Sequence, residues 1–238
     1  MSNAPAEILT ALMLGFLHAL EVDHMIAVSA FVAGRPSPRT AAGFGLRWGF
    51  GHSMAVLLLG GALLLSGVRW PGRYDAWGEA VVGVMLIALG AWALRSSRKL
   101  HLHPPAEHGD HAHLHVHGDG SHAHVHAHAP PVPAEASRSA HDHRHGITLV
   151  GLMHGLAGSS GVVALVPVTL IQRLDVGLAY LAAFGVGVTA GMMVYAVVAA
   201  LAMRQAAARS LAWGRRIAGV VGVAGIGVGF WWVWRAVG

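Results

Sequence analysis

Apolar residues fall in six long runs, roughly 8–34, 44–67, 76–95, 147–172, 177–203 and 216–237, separated by short breaks of Arg, Pro and Gly. A membrane-spanning helix takes about 20 mostly apolar residues, and each run reaches that length. The breaks carry turn chemistry, as in Arg35-Pro36-Ser37-Pro38 and Pro71-Gly72-Arg73. Residues 96–146 differ in kind. They are His, Pro, Ala and short polar residues without a helical period, which predicts a long disordered loop. The expected class is an all-α membrane protein of six transmembrane helices. The first run reads as a retained helix, not a signal peptide, because it is preceded by Glu7 instead of basic residues and is interrupted by ionisable groups.

Composition agrees with that pattern. Of 238 residues, 55% are hydrophobic and 11% charged, whereas a soluble domain carries about a quarter charged residues. The chain has no cysteine, which excludes disulfides, thiolate metal sites, iron–sulfur clusters and thiol redox chemistry. It has no GxxxxGK[ST] phosphate loop. The net charge of +5 does not point to nucleic acid, since the basic residues are scattered between apolar runs. Membrane topology accounts for them better. Arg35, Arg39, Arg47, Arg95, Arg98, Lys99, Arg138, Arg144, Arg204, Arg209, Arg215 and Arg216 fall on one side of a six-span path, and Arg69, Arg73, Arg173 and Arg235 on the other. The positive-inside rule then puts the His-rich loop in the cytoplasm of a bacterial-type inner membrane and both termini outside.

The two halves resemble each other. "GFLHAL" at 15–20 matches "GLMHGL" at 151–156, and Phe44-Gly45 matches Phe184-Gly185. Val81, Val82, Gly83, Val84, Ile87, Gly90 and Trp92 match Val220, Val221, Gly222, Val223, Ile226, Gly229 and Trp231. The offsets are 136, 140 and 139. This predicts a three-helix unit over 1–95, the loop over 96–146, and a second unit over 147–238. Three crossings is an odd number, so the second copy must be inverted. Inverted repeats are a transporter architecture, with the substrate near the midplane.

Of 18 histidines, fourteen lie between 101 and 145, and His18, His24, His52 and His154 lie within apolar spans. An ionisable side chain costs about 2.5–3.5 kcal/mol at the centre of a span. The first span holds four such groups in "HALEVDH": His18, Glu21, Asp23 and His24. In an unbroken helix His18, Glu21 and His24 share a face about 120° wide and Asp23 falls off it. Either the helix unwinds there or Asp23 acts from another side, for example by orienting an imidazole. Imidazole and carboxylate without thiolate suit nickel, cobalt, zinc or copper(II). Hydrogen bonding between helices is the plainer alternative for any one histidine. Met25, Met54 and Met153 read as packing, with copper(I) a minor alternative. Gly151, Gly155, Gly158 and Gly161 recur at three and four around His154, spacing that lets another helix approach closely.

These motifs carry a family resemblance. "HALEVDH" resembles the H-x4-D-H signature of the nickel/cobalt transporter family. The order HALEVDH, GHS, HGLAGS over six spans looks most like its UreH-like members, found beside urease genes. The resemblance implies that His18, Asp23 and His24 handle metal, with His52 and His154 as partners. Glu21 stands where many members have Asp. The implied activity is secondary transport of nickel or cobalt, uptake first and proton-driven efflux second, by a protein that is not an enzyme and has no prosthetic group. Its expected partners are a divalent transition-metal ion and membrane lipid, with homo-oligomerisation left open.

The His-rich loop is reminiscent of related efflux proteins. Its His111, His113, His115, His117, His122, His124, His126 and His128 alternate with small residues, which suits many interchangeable metal arrangements. The loop charge would vary with pH around the ordinary imidazole value of about 6.5. An inert solvated linker is the alternative. Two other classes compete. A haem electron carrier would use paired transmembrane histidines, but clustered acids are poor neighbours for a macrocycle. Gly158-Ser159-Ser160-Gly161 resembles the GxSG of rhomboid proteases, yet 216–237 contains no histidine to serve as base.

Overall fold

The computed structural model describes residues 4–34, 37–67, 73–98, 112–116, 123–127, 137–157, 171 and 173–238. In chain order the elements are α1 (Ala4–His18), α2 (Val22–Gly34), α3 (Pro38–Ser66), α4 (Arg73–Arg98), β1 (Ala112–Val116), β2 (Ala123–Ala127), α5 (Ser137–Ala157), α6 (Leu174–Arg209) and α7 (Leu211–Val237). Segments of α3, α4, α6 and α7 are each long and apolar enough to cross a membrane, and α1 with α2 forms a further candidate span bent by 55°. The chain is an all-α multi-pass membrane protein. Of the expected span 147–172, the described part is the apolar end of α5, Ile147–Ala157; residues 158–170 lie outside the described residues.

Local chemistry sets several boundaries. Pro38 sits in the first turn of α3, where its missing N–H costs nothing. Gly67 ends that helix at φ 67°, its N–H bonded to the Leu63 carbonyl, a left-handed conformation that glycine adopts without a Cβ penalty. Ser210 separates α6 from α7 and its side chain accepts the Ala212 N–H, as an N-cap does.

Within 96–146, expected to be disordered, the described residues 96–98, 112–116, 123–127 and 137–146 hold secondary structure. α4 runs on to Arg98 and α5 begins at Ser137. Strands β1 and β2 pair antiparallel, His113 opposite His126 and His115 opposite His124. The reason is in the sequence: Ala112-His113-Leu114-His115-Val116 alternates with a period of two, the period of a strand. The register puts these four histidines at positions of one face.

The helices pack α4 on α7, α3 on α6, α1 on α6 and α5 on α3. Small residues make these approaches close. A Cβ on Gly83 would lie 2.6 Å from the Gly229 carbonyl oxygen, and one on Gly90 would lie 2.6 Å from that of Gly222. Gly51 is pressed against the Thr148 carbonyl and Gly187 against that of Leu12. The core so formed contains Phe44, Trp48, Leu86, Leu181, Phe184 and Met192. Leu58, Leu65, Val84, Val220 and Trp234 face outward, the surface that lipid would cover.

Candidate functional site

The site begins at the break between α1 and α2. After His18 the chain makes a tight turn in which the Leu20 N–H bonds to the Leu17 carbonyl at 2.9 Å and the Glu21 N–H to that of His18 at 3.0 Å. These are i−3 bonds, tighter than the α-helical pattern. α2 restarts with the Met25 N–H on the Glu21 carbonyl at 2.9 Å. Of the two alternatives open for Asp23, the unwinding is present, and it occurs without Pro or Gly between His18 and Met25. His18 stands in the last turn of α1 and Asp23 in the first turn of α2. The partial charges of the helix ends favour a cation beside the first and an anion beside the second.

Two further helices complete the cluster. α3 supplies His52 and α5 supplies His154, brought together because Gly155 lets the helices touch. A Cβ there would meet the His52 carbonyl oxygen at 2.6 Å. His18, Asp23, His24, His52 and His154 are all at most 2% exposed. Ring centroids of His24 lie 4.7 Å from His18, 5.1 Å from His52 and 4.3 Å from His154. The His52 ring lies 5.4 Å from that of His18 and 5.8 Å from that of His154.

Carboxylates hold three of the rings. His18 Nδ1 pairs with Glu21 Oε1 at 2.8 Å. Asp23 Oδ1 accepts from His24 Nδ1 at 2.9 Å and from the His24 backbone N–H at 2.9 Å. Asp23 Oδ2 pairs with His154 Nε2 at 3.1 Å. The remaining ring nitrogens, His18 Nε2, His24 Nε2, His154 Nδ1 and both nitrogens of His52, are buried and have no hydrogen-bond partner among the described residues. Buried polar atoms are rarely left so, and several converging imidazole nitrogens are the donor set of a transition-metal ion. Ligand atoms of His18, His24 and His52 lie within 4.8 Å of one another, as do those of Asp23, His24 and His154.

All six span residues singled out in the sequence thus come together, Glu21 at the rim with its side chain 36% exposed. His113, His115, His124 and His126 are on the two strands; His111, His117, His122 and His128 lie outside the described residues, as does Gly158-Ser159-Ser160-Gly161. Met153 is 47% exposed, and Met54 lines an outer groove with Phe50 and Met193. Sequence reasoning missed the walls: the Trp48 ring lies 5.8 Å from His154 and the Phe184 ring 5.6 Å from His18. The signal was available, because Trp48 and Phe184 are equivalent positions when the halves are aligned at the 136-residue offset of "GFLHAL" and "GLMHGL".

The chain is similar to a urease accessory protein UreH from Bacillus sp. (strain TB-90), with 28% identity over 194 residues that cover 79% of this chain and 75% of the relative. No family model matches the chain. No solved structure matches it either.

Proposed function

We propose that the protein is a secondary transporter that moves divalent nickel or cobalt inward across the bacterial inner membrane, neither an enzyme nor the holder of a prosthetic group. The observation that carries this reading is the cluster of four buried imidazoles and one buried carboxylate at a broken membrane helix. Unwound helices with ion-binding side chains are what transporters use for coupling and substrate sites. The likeness to UreH and the H-x4-D-H signature support the nickel/cobalt assignment.

In this reading the halves are inverted three-helix repeats. Reciprocal contacts support it. Gly15 meets the Phe184 carbonyl as Gly151 meets that of Trp48, and Gly51 meets Thr148 as Gly187 meets Leu12. One offset relates the members of each pair. It also links Ser53 to Thr189, 136 positions apart, whose hydroxyls lie 3.1 Å from each other where α3 crosses α6. These contacts support an offset of 136 for the second helices, one helical turn from the 140 that Phe44-Gly45 suggests. The basic residues support a cytoplasmic loop and outward termini.

The membrane potential supplies the energy. A divalent cation moving inward gains about 4.6 kcal/mol per 100 mV, or roughly two thousandfold accumulation at about 1.4 kcal/mol per tenfold. Efflux would have to overcome the same term, by proton exchange. Radioactive nickel accumulation in cells expressing the protein, against an empty vector, tests the direction. Higher accumulation that collapses with the potential supports uptake. Lower accumulation with raised nickel tolerance means efflux, and no change with any divalent metal rejects transport.

A further inference from the structure

Two aromatic side chains stand on opposite sides of the histidine cluster. α3 and α6 run antiparallel, with Gly45 against Met192, Gly49 against Thr189 and Gly61 against Leu178. Trp48 precedes His52 by one turn, toward the Pro38 end of α3. The Ser53 hydroxyl donates to the Gly185 carbonyl at 2.7 Å, so Phe184 lies beyond His52, toward the Ser66 end. At 1.5 Å per residue the two levels are about 9 Å apart along α3, with His52 between them. The Trp48 ring lies against His154 and the Phe184 ring against His18. Both aromatic residues are buried. A hydrophobic constriction of this kind sheds water and so stops a hydrated ion.

The packing also says which side each one faces. α5 runs parallel to α3, with Gly151 against Trp48 and Gly155 against His52, and Gly78 near the start of α4 meets Ala157 at the end of α5. The end of α4 and the start of α5, which flank residues 96–146, therefore lie on Trp48's side. α1 runs parallel to α6, with Leu12 against Gly187 and Ala19 against Gly191, and Gly229 of α7 meets Gly83 of α4. Both termini therefore lie on Phe184's side. Resting on the transport reading above, we propose that Trp48 and Phe184 are the two gates of the path. Trp48 closes the ion site toward residues 96–146, and Phe184 closes it toward the termini.

The gates are unequal. Phe44 backs Trp48 with ring centroids 5.2 Å apart, and Phe31 of α2 stacks on Phe44 at 3.8 Å. Aromatic contacts of this kind add to the burial of the rings, so opening that end breaks a continuous stack. One turn from Phe184 stands Tyr180, buried, its hydroxyl without a partner among the described residues. Tyr180 and Phe44 are 136 positions apart, as Phe184 and Trp48 are. The same place in the two halves is thus apolar behind one gate and phenolic behind the other. Water entering past Phe184 gives the hydroxyl the partner that a buried polar group ordinarily has. The Phe184 gate opens the more readily, on the entry side for uptake.

The chain has no cysteine, so His52→Cys makes a single reporter between the gates. Neither nitrogen of His52 holds a hydrogen bond among the described residues, so the replacement breaks none of those bonds. The full-length variant, in sealed cells and in inverted vesicles without metal, is treated with a membrane-impermeant cationic methanethiosulfonate; a separate Gly238→Cys chain marks the face of the termini. Labelling of His52→Cys should be faster from that face. A gate that loses its aromatic contacts opens about tenfold more often. Added Phe184→Ala should therefore speed labelling by about that factor from the face of the termini alone, and added Trp48→Ala from the opposite face alone. Trp48→Leu and Phe184→Leu, which keep an apolar side chain, should act at the same faces by less, and they carry the test where an alanine variant does not reach the membrane. A rise at the wrong face, at both faces alike or at neither overturns the gates, and faster labelling of His52→Cys alone from the face of residues 96–146 overturns their order. Those results leave the transport reading standing, because nickel accumulation by the native chain tests it separately. Absence of any divalent-metal flux there removes that reading and the gates with it.

Discussion

His154 Nε2 on α5 lies 3.1 Å from Asp23 Oδ2 on α2, joining residues 131 positions apart. Through the other oxygen the same carboxylate holds His24 at 2.9 Å. A carboxylate buried to 2% exposure is tolerated only when its lone pairs are met. Here the groups that meet them come from both halves of the chain. Asp23 therefore couples the break in the first span to the helix that packs beside α3.

Removing that carboxylate should be felt in flux before it is felt in insertion. Asp23→Ala leaves His24 Nδ1 and His154 Nε2 without their acceptor, and loss of such an orienting partner typically costs 10–100-fold in affinity or activity. The expected result is a fall of about that size in radioactive nickel uptake, normalised to protein in the membrane fraction by immunoblot. Wild-type uptake by Asp23→Ala would remove the residue from the site.

The glycines at helix crossings should separate sharply from glycines in open space. A Cβ at Gly151 would collide with the Trp48 carbonyl, whereas one at Gly219 meets nothing within 4 Å. Overpacking of this kind costs about 1–3 kcal/mol, so Gly151→Ala should lower the unfolding temperature in detergent. Gly219→Ala should leave it unchanged or raise it, since alanine is the better helix former by about 1 kcal/mol. Equal behaviour of the two variants would mean that α5 does not lie against α3 as described.

Much of this was legible in the sequence, for identifiable reasons. A 20-residue apolar requirement is a strong signal, so the cores of α3, α4, α6 and α7 could be read directly. Ionisable groups in apolar runs are conspicuous, which is why His18, Glu21, Asp23, His24, His52 and His154 could be named before their meeting was visible. The site of the break was harder. No Pro or Gly marks it; the break coincides with the His18–Glu21 pair, with the Asp23 carboxylate on the His24 N–H, and with the two short backbone bonds of Leu20 and Glu21. Trp48 and Phe184 were missed because an aromatic residue in an apolar helix looks like any other core residue. The hairpin was missed because histidine-rich composition drew attention from the period-two alternation that pairs His113 with His126.

The loop and the membrane cluster should fail in different ways. In the proposed uptake direction the cytoplasmic loop stands on the exit side, so replacing its histidines removes imidazoles that capture released ions but leaves His18, His24, His52 and His154 in place. Capture lowers the free concentration on that side by mass action and slows return through the site without altering entry. The expected outcome is a lower net accumulation with the initial uptake rate and the half-saturating external nickel concentration retained. Imidazole binds metal only when neutral, so protons compete with the loop and its contribution should fade as the pH on its side falls through about 6.5. Time courses of uptake into proteoliposomes at several internal pH values, read for both initial rate and plateau, measure both effects. The gap between native and loop-substituted chains should narrow as that pH drops. If loop substitution abolishes uptake while His24→Ala preserves it, the transport site lies in the loop and not at the break between α1 and α2.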